Sequence, residues 1–159
     1  GHKKIGVVAG DADNIHTQKR ILGYQKALYE EKVLYNPDWI RHGDWKRPSG
    51  YKLAEKLVKE GVTAIFCMND LMAAGVYDYL YENNITVGRD ISIAGYDNNQ
   101  ISEYLRPKLT TSDIPLKIIG KKSAEVIVSM LSNEAYLGET EVIKLPCNLI
   151  IRESVHNIN

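Results

Sequence analysis

The sequence predicts an α/β fold, a three-layer sandwich in which helices cover both faces of a mainly parallel sheet. Two observations predict it. Apolar strand-like segments alternate with amphipathic helix-like segments through residues 3–96. The helices between them are three to four turns long, which is the kind of connection that parallel strands need. At 159 residues the chain fits one domain and is long enough to bury a sizeable core.

The alternation consists of seven segments. We expect strands at 3–10, 38–44, 63–68 and 90–96, and helices at 16–32, 49–61 and 70–84. The first segment is a short apolar run, typical of a buried parallel strand, and the strand at 38–44 has the weakest pattern. The first helix carries Ile21, Tyr24 and Leu28 at helical spacing. Gly61 is a typical C-cap for the second helix.

The pattern changes after Asp97. Residues 98–116 contain two prolines and predict a short helical turn followed by an extended segment. An amphipathic helix follows at 116–133, and residues 140–155 predict extended strands broken at Pro146.

Composition and motifs exclude several classes. Twenty basic residues balance twenty acidic ones, so the chain as a whole does not attract nucleic acid or anionic membrane. The start, GHKKIGVVAG, does not resemble a signal peptide, and no apolar run is long enough to span a bilayer. With two cysteines, one in an apolar run, the sequence favours a reducing, intracellular setting.

The sequence lacks the common cofactor and catalytic motifs. There is no GxGxxG after the first strand, no GxxxxGK[ST] and no GxSxG, and the four histidines are scattered. We therefore expect no enzyme, no cofactor and no metal site. The strongest enzymatic alternative is a phosphoacceptor domain with Asp11, Asp13 and Asp70 around Mg²⁺. It lacks a cation near the last strand end to stabilise a phosphoryl group.

Polar side chains follow each of the four strands. The carboxyl ends of these strands lie at one edge of the sheet, because crossover connections between parallel strands are right-handed. They are Asp11, Asp13 and the loop to His16; Gly43-Asp44-Trp45; Asn69-Asp70; and Tyr96-Asp97-Asn98-Asn99. Open α/β sheets bind ligands at this edge. We therefore predict a cleft for a polar ligand, with Asn69 and Asp70 reaching into it and Asp70 also capping the helix that follows.

Several collinear blocks resemble LacI/GalR-type transcription regulators. They include TAIFCMNDLMAAG, GRDISIAGYDN and RPKLTTSDIPLKIIG, preceded by GHKKIGVVAG, KRILGYQKAL and HGDWKRPSGY. The resemblance covers nearly all of residues 1–152 and implies the second subdomain of a type I periplasmic-binding-protein-like fold. It assigns 1–112 to that subdomain, and 113–159 to a crossover helix and strands that pack on a first subdomain, outside this chain, and return.

The resemblance also implies the ligand contacts. It places Arg20, Trp45, Asn69 and Asp97 against the effector, with Asn14 and His16 as further possible contacts on a variable loop. A sugar fits these groups, since a carboxylate accepts two hydroxyls and an indole covers a ring face. Each residue also has a structural alternative: Arg20 as a surface ion-pair partner, Trp45 as a hydrophobic lid, and Asn69 and Asp97 as helix caps.

By resemblance this subdomain also forms homodimers. The predicted interface consists of Leu71, Ala74, Gly75, Asp78, Tyr104 and Leu105. The alternative is that both faces of the helix are intramolecular core. The helix at 116–131 would expose an apolar stripe without the first subdomain, and we expect a swapped dimer or a mobile C-terminal third in that case.

The sequence thus predicts a cytoplasmic ligand-sensing and dimerisation module of a bacterial LacI-type regulator, most simply a repressor. Its effector would be a small molecule, a sugar by preference, and DNA would be bound only through an N-terminal domain outside this chain. The alternative from another class is a periplasmic sugar-binding component of a transport system.

Overall fold

The structure, a computed structural model, describes residues 1–132 and 142–158. Its six strands form one sheet in the order β2-β1-β3-β4-β5-β6. The strands are β1 (Ile5–Ala9), β2 (Ile40–His42), β3 (Ala64–Cys67), β4 (Ser92–Asp97), β5 (Thr110–Asp113) and β6 (Asn148–Ile150). The helices are α1 (Ile15–Glu30), α2 (Arg47–Lys59), α3 (Asp70–Glu82), α4 (Ile101–Tyr104) and α5 (Leu116–Ser132). All neighbouring strands pair in parallel except β5 and β6.

The α/β fold with a mainly parallel sheet is confirmed. The weak strand predicted at 38–44 is a 3-10 turn, Pro37–Trp39, followed by the three residues of β2. Of the extended strands predicted at 140–155, β6 joins the sheet, while residues 140 and 141 lie outside the described residues. The helix predicted at 116–133 is α5, and residue 133 lies outside the described part.

The core lies between the sheet and the helices on its faces. It is built from strand residues such as Val7, Val8 and Ile93 and from helix residues such as Leu57 and Leu80, all fully buried. Burying one such side chain contributes about 1.5–3 kcal/mol, so this apolar set fixes the register of the sheet. Among the described residues, no helix is both long and apolar enough to span a lipid bilayer.

Two glycines let α2 and α3 cross with their backbones in contact. A Cβ on Gly50 would lie 2.0 Å from the carbonyl oxygen of Met72, and a Cβ on Gly75 would lie 1.9 Å from that of Arg47. Any side chain at either position would overlap the opposite backbone. The contact fixes the start of α3 and, with it, the polar residues at the end of β3.

The C-terminal residues close the sheet. Ser154 is fully buried, and its Oγ donates a hydrogen bond to the Ile93 carbonyl over 2.6 Å and accepts one from the Thr110 amide over 2.8 Å. The Ser154 carbonyl accepts a bond from the Ile93 amide over 2.8 Å. The tail therefore supplies backbone partners that β4 and β5 would otherwise lack.

Helix α5 stands apart from this core. It has no buried residue, and its exposed apolar side chains include Ile118, Ile119, Ile127 and Leu131. Together with residues 143–147 it borders an apolar groove of about 530 Å³.

Candidate functional site

The carboxyl ends of β1, β3 and β4 bring the main predicted ligand residues together. Arg20 reaches from α1 to this edge, where its Nη2 lies 4.0 Å from Oδ1 of Asp97. The centre of its guanidinium lies 5.5 Å from the centroid of the Trp45 ring. Asn69 joins the group through a 2.9 Å hydrogen bond from its Nδ2 to the Trp45 carbonyl. All four residues predicted as the main ligand contacts therefore lie at one edge of the sheet.

Arg20 is held on two sides. Its Nη1 donates a hydrogen bond to the Met68 carbonyl at the end of β3, and its guanidinium stacks on the Tyr96 ring at 3.8 Å. Its side chain is 20% exposed, so it is not an ion-pair partner on an open helix surface. A guanidinium has five N–H donors, so the bond to Met68 leaves others for a ligand at this edge.

Trp45 is fixed by its own backbone and by Gly10. Its φ of 68° lies in the left-handed region, which is uncommon for a bulky residue. A Cβ on Gly10 would lie 2.0 Å from the indole, so the ring occupies the space that a side chain there would fill. The ring thus packs on the end of β1 and lies near Arg20, at the ligand edge.

Asn69, predicted as a ligand contact, has a structural role in the chain. It is the N-cap of α3, where its Oδ1 accepts a 2.8 Å bond from the Met72 amide. Its Nδ2 holds the Trp45 loop, and the residue is only 8% exposed. The structural alternative for Asn69, that it caps the helix, is therefore correct.

Asp97 lies at the end of β4 in a strained turn. Its φ is 108° and that of Asn98 is 51°. Such backbone costs of order 1–3 kcal/mol and persists where the surroundings enforce it, often at ligand sites. Burial raises the pKa of Asp97, and the nearby Arg20 opposes that rise. Asp97 does not cap α4, whose N-cap is Gln100.

Asp70 does not reach into the cleft, and the prediction that it does so was wrong. The residue is fully buried, and its two oxygens are satisfied by 2.7 Å bonds from the Asn99 amide and the Thr111 hydroxyl. Asn69, and not Asp70, caps α3. Burial raises the pKa of Asp70 to about 6, against the lowering effect of these bonds. Its role is to hold the turn after β4 through the bond from the Asn99 amide.

The magnesium alternative finds no support in this arrangement. Asp11 and Asp13 are exposed, while both oxygens of Asp70 are engaged with other donors. Within residues 1–132 and 142–158, no three His, Cys, Asp or Glu side chains are grouped as metal ligands.

Asn14 and His16 lie on the loop that leads into α1. Asn14 is the N-cap of that helix and accepts a 2.8 Å bond from the His16 amide. The His16 side chain is exposed at the rim. Their assignment as ligand contacts stays a prediction.

The sequence places Tyr96 at the ligand edge but does not predict it as a ligand contact. It is half-buried and stacks on Arg20, and its hydroxyl lies 3.6 Å from the Cys147 Sγ. The signal was available in the sequence: Tyr96 immediately precedes Asp97 at the end of a buried strand, and aromatic rings commonly pair with guanidinium groups.

The predicted partner surface is smaller than the sequence indicated. Ala74 and Gly75 are buried within the chain, Gly75 against α2, so they are not available to a partner and we remove them from the predicted interface. Asp78 pairs with Arg47 through bonds of 2.6 and 2.7 Å, and Leu105 packs partly on the core. Leu71 and Tyr104 remain exposed, at 42% and 67%.

Comparison with known proteins identifies relatives along the whole chain. The family model of the periplasmic binding protein-like domain matches residues 1–155. The HTH-type transcriptional repressor PurR of Aliivibrio salmonicida is 36% identical over 99% of this chain and 47% of its own length. The ribose operon repressor of Haemophilus influenzae is 31% identical over 99% of this chain and 48% of its own length. The chain thus spans about half the length of the curated relatives it matches.

Solved structures agree with these relatives. A LacI family transcriptional regulator from Enterococcus faecium with bound ribose has a TM-score of 0.86 and 28% identity, over 100% of this chain and 59% of that one. These three proteins are transcriptional repressors or regulators by name, and none is named as an enzyme. With its sheet order and these matches, the chain belongs to the periplasmic binding protein-like domain family, in the form found in LacI/GalR-type regulators.

Proposed function

We propose that this chain is the ligand-sensing and dimerisation part of a bacterial LacI-type transcriptional repressor, which acts on DNA in the cytoplasm. The observation that carries the proposal is the meeting of Arg20, Trp45 and Asp97 at one edge of the parallel sheet. A cation, a carboxylate and an indole within a few ångströms form a recognition site for a small polar molecule. The repressor relatives favour a regulator over a transport component.

The effector class that fits these groups best is a neutral sugar. The Asp97 carboxylate accepts bonds from two adjacent hydroxyls, and Arg20 supplies complementary donors. The Trp45 indole covers the apolar face of a sugar ring. Since Arg20 and Asp97 are 4.0 Å apart, their charges largely offset each other, which favours an uncharged ligand over an anionic one.

The effector would act by stabilising one arrangement of two subdomains. Bound between this chain and a first subdomain, it would favour the closed state only to the extent that it binds that state more tightly. Closure would change the spacing of two DNA-binding heads in a dimer. Leu71 on α3 and Tyr104 on α4 are both exposed, and we expect them in that dimer contact.

A thermal-shift screen of monosaccharides and disaccharides on the full-length protein tests the proposal, with ribose and cellobiose in the panel and inorganic phosphate as an anionic probe. We expect a sugar to raise the melting temperature and to change the affinity for operator DNA. The shift should disappear in Asp97→Ala. A sugar whose shift survives in both Asp97→Ala and Arg20→Ala would bind elsewhere and overturn the site.

A further inference from the structure

Arg152, on the tail just after β6, is a nearly buried charge that contacts three separate segments. Its side chain is 10% exposed. Nη1 donates to the Leu109 carbonyl over 2.6 Å and to the Ser102 Oγ over 3.2 Å, and Nη2 donates to Asn98 Oδ1 over 2.9 Å. Nη2 also bonds to a carboxylate oxygen of Glu103. The resemblance to known regulators gave no reason to single out this residue.

On one side Arg152 holds the turn that presents Asp97. Asn98 follows Asp97 and has a φ of 51°, in the left-handed region that asparagine tolerates when its side chain is hydrogen-bonded. Its Oδ1 accepts from Arg152, its Nδ2 donates to Asp113 Oδ1 over 3.0 Å, and its amide donates to Thr111 Oγ1 over 3.3 Å. Ser102 Oγ also donates to Asn98 Oδ1, over a longer 3.5 Å, so the Asn98 side chain is fixed at both ends and Arg152 holds Oδ1 by the shorter bond.

On the other side Arg152 holds α4. Glu103 bonds to Arg152 and also lies 3.2 Å from the Lys108 Nζ, while Ser102 is fully buried. The next residue, Tyr104, is 67% exposed on the predicted partner surface. One guanidinium therefore connects the ligand turn with the helical turn that carries Tyr104.

We propose that Arg152 is a positioning residue of the effector site, which fixes the Asp97–Asn98 turn through Asn98 and ties it to α4 through Glu103 and Ser102. The inference rests on the proposed function for the identity of the ligand turn. The guanidinium divides four acceptors between two nitrogens, whereas a lysine has three donors on a single nitrogen, so we expect that a lysine would not replace it.

Hydrogen exchange on the full-length protein, without effector, tests whether Arg152 holds the Asp97–Asn98 turn. We call this set of contacts the tether. The amides of Asn98 and Asn99 have acceptors in Thr111 and Asp70, so both should exchange slowly in the wild type. In Arg152→Met we expect exchange at residues 98–99 to accelerate at least tenfold, with no change in β1. Arg89→Met is the matched control, because Arg89 is 72% exposed and pairs with its neighbour Asp90.

Equal acceleration in both variants, or none in Arg152→Met, would overturn the proposal. If Arg152→Met does not fold, Asn98→Ala removes the same contact from the turn, and an unchanged exchange rate at Asn99 would then overturn it.

With a sugar from the screen, Arg152→Met should bind about tenfold more weakly and Arg152→Lys should not restore the affinity. Faster amide exchange at residues 98–99 together with an unchanged sugar affinity would refute the positioning role. A screen without any sugar hit would count against the proposed function, while the exchange result would still decide whether the tether exists.

Discussion

Nη2 of Arg20 and Oδ1 of Asp97 lie 4.0 Å apart, at the outer limit of an ion pair and beyond hydrogen-bond distance. The two charges attract each other without a hydrogen bond between them. The acceptor positions of Asp97 and some of the donors of Arg20 therefore remain available to a ligand. A ligand hydroxyl placed between them could bond to both. This spacing leads to the first prediction.

Replacement of Asp97 by Asn should weaken effector binding by about 1–3 kcal/mol, roughly fivefold to 150-fold, because a buried donor of the ligand or of Arg20 loses its charged partner. Titration of the effector into a Trp39→Phe background, in which Trp45 is the remaining tryptophan of this chain, would measure the change by fluorescence. An affinity equal to that of the parent would show that Asp97 is not a ligand contact.

Replacement of Gly10 by Ala should displace the Trp45 ring and reduce effector affinity. The new Cβ would lie 2.0 Å from the indole, which is closer than any real contact, so the ring must move. Gly23→Ala is the matched control, since a Cβ at this position in α1 has no atom within 4 Å. Isothermal titration of both variants checks the prediction. Equal affinities in the two variants would contradict the role of Trp45.

Replacement of Gly75 by Ala should destabilise the fold by about 1–3 kcal/mol or more, because the helix backbones of α2 and α3 would have to separate. Gly120→Ala, in open space on α5, should be neutral or stabilise the helix by up to about 1 kcal/mol. Urea unfolding of the two variants gives the comparison. A Gly75→Ala protein as stable as the parent would mean that the two helices can move apart without cost.

The buried Asp70 should make stability depend on pH. Its pKa rises from the ordinary 3.8 to about 6 in the folded chain, so the folded state binds the proton more tightly than the unfolded state. The resulting stabilisation is present below pH 3.8 and is lost as the pH rises through 6, by an amount of order 2–3 kcal/mol.

The measurement is the free energy of unfolding of the wild type minus that of Asp70→Asn, between pH 4 and pH 7. The difference should fall with rising pH, because other titrating groups cancel in the comparison. A difference that rises over this range would show that the carboxylate is favoured by its bonds more than it is penalised by burial.

Leu71→Glu and Tyr104→Glu should each weaken dimerisation of the full-length protein at least tenfold, since a charge buried in an apolar contact lacks a partner. Tyr29→Glu is the control, because Tyr29 is 85% exposed on α1 and is not part of the predicted interface. Analytical ultracentrifugation over a range of concentrations measures the effect. If all three variants had the dimer dissociation constant of the parent, the interface would have to lie on another face of the chain.

The sheet and its helices were predictable from periodicity, and the ligand edge from the polar residues that come directly after the strands. The sequence did not predict which of the polar residues at that edge are buried. Asn69 and Asp70 are adjacent polar residues, and only the direction of each side chain decides that Asn69 braces the Trp45 loop while Asp70 lies under the turn after β4. The sequence does not specify that direction, because it depends on Thr111 and Asn99 from later in the chain.

Contacts between distant segments explain the other differences. Gly75 fits a small-residue partner surface as well as an intramolecular one, and only the position of α2 decides between them. Arg152 lies 54 residues from Asn98, and a lone arginine in a polar tail carries no periodic signal. Local patterns thus identified elements and strand ends, whereas the pairing of side chains across the sheet needed the three-dimensional arrangement.

The buried Ser154 has a consequence for the order in which the chain folds during synthesis. Its hydroxyl bonds to Ile93, made 61 residues earlier, so in a nascent chain β4 gains this partner only after Ser154 has left the exit tunnel. A stalled or prematurely terminated chain would leave the Ile93 carbonyl without this partner.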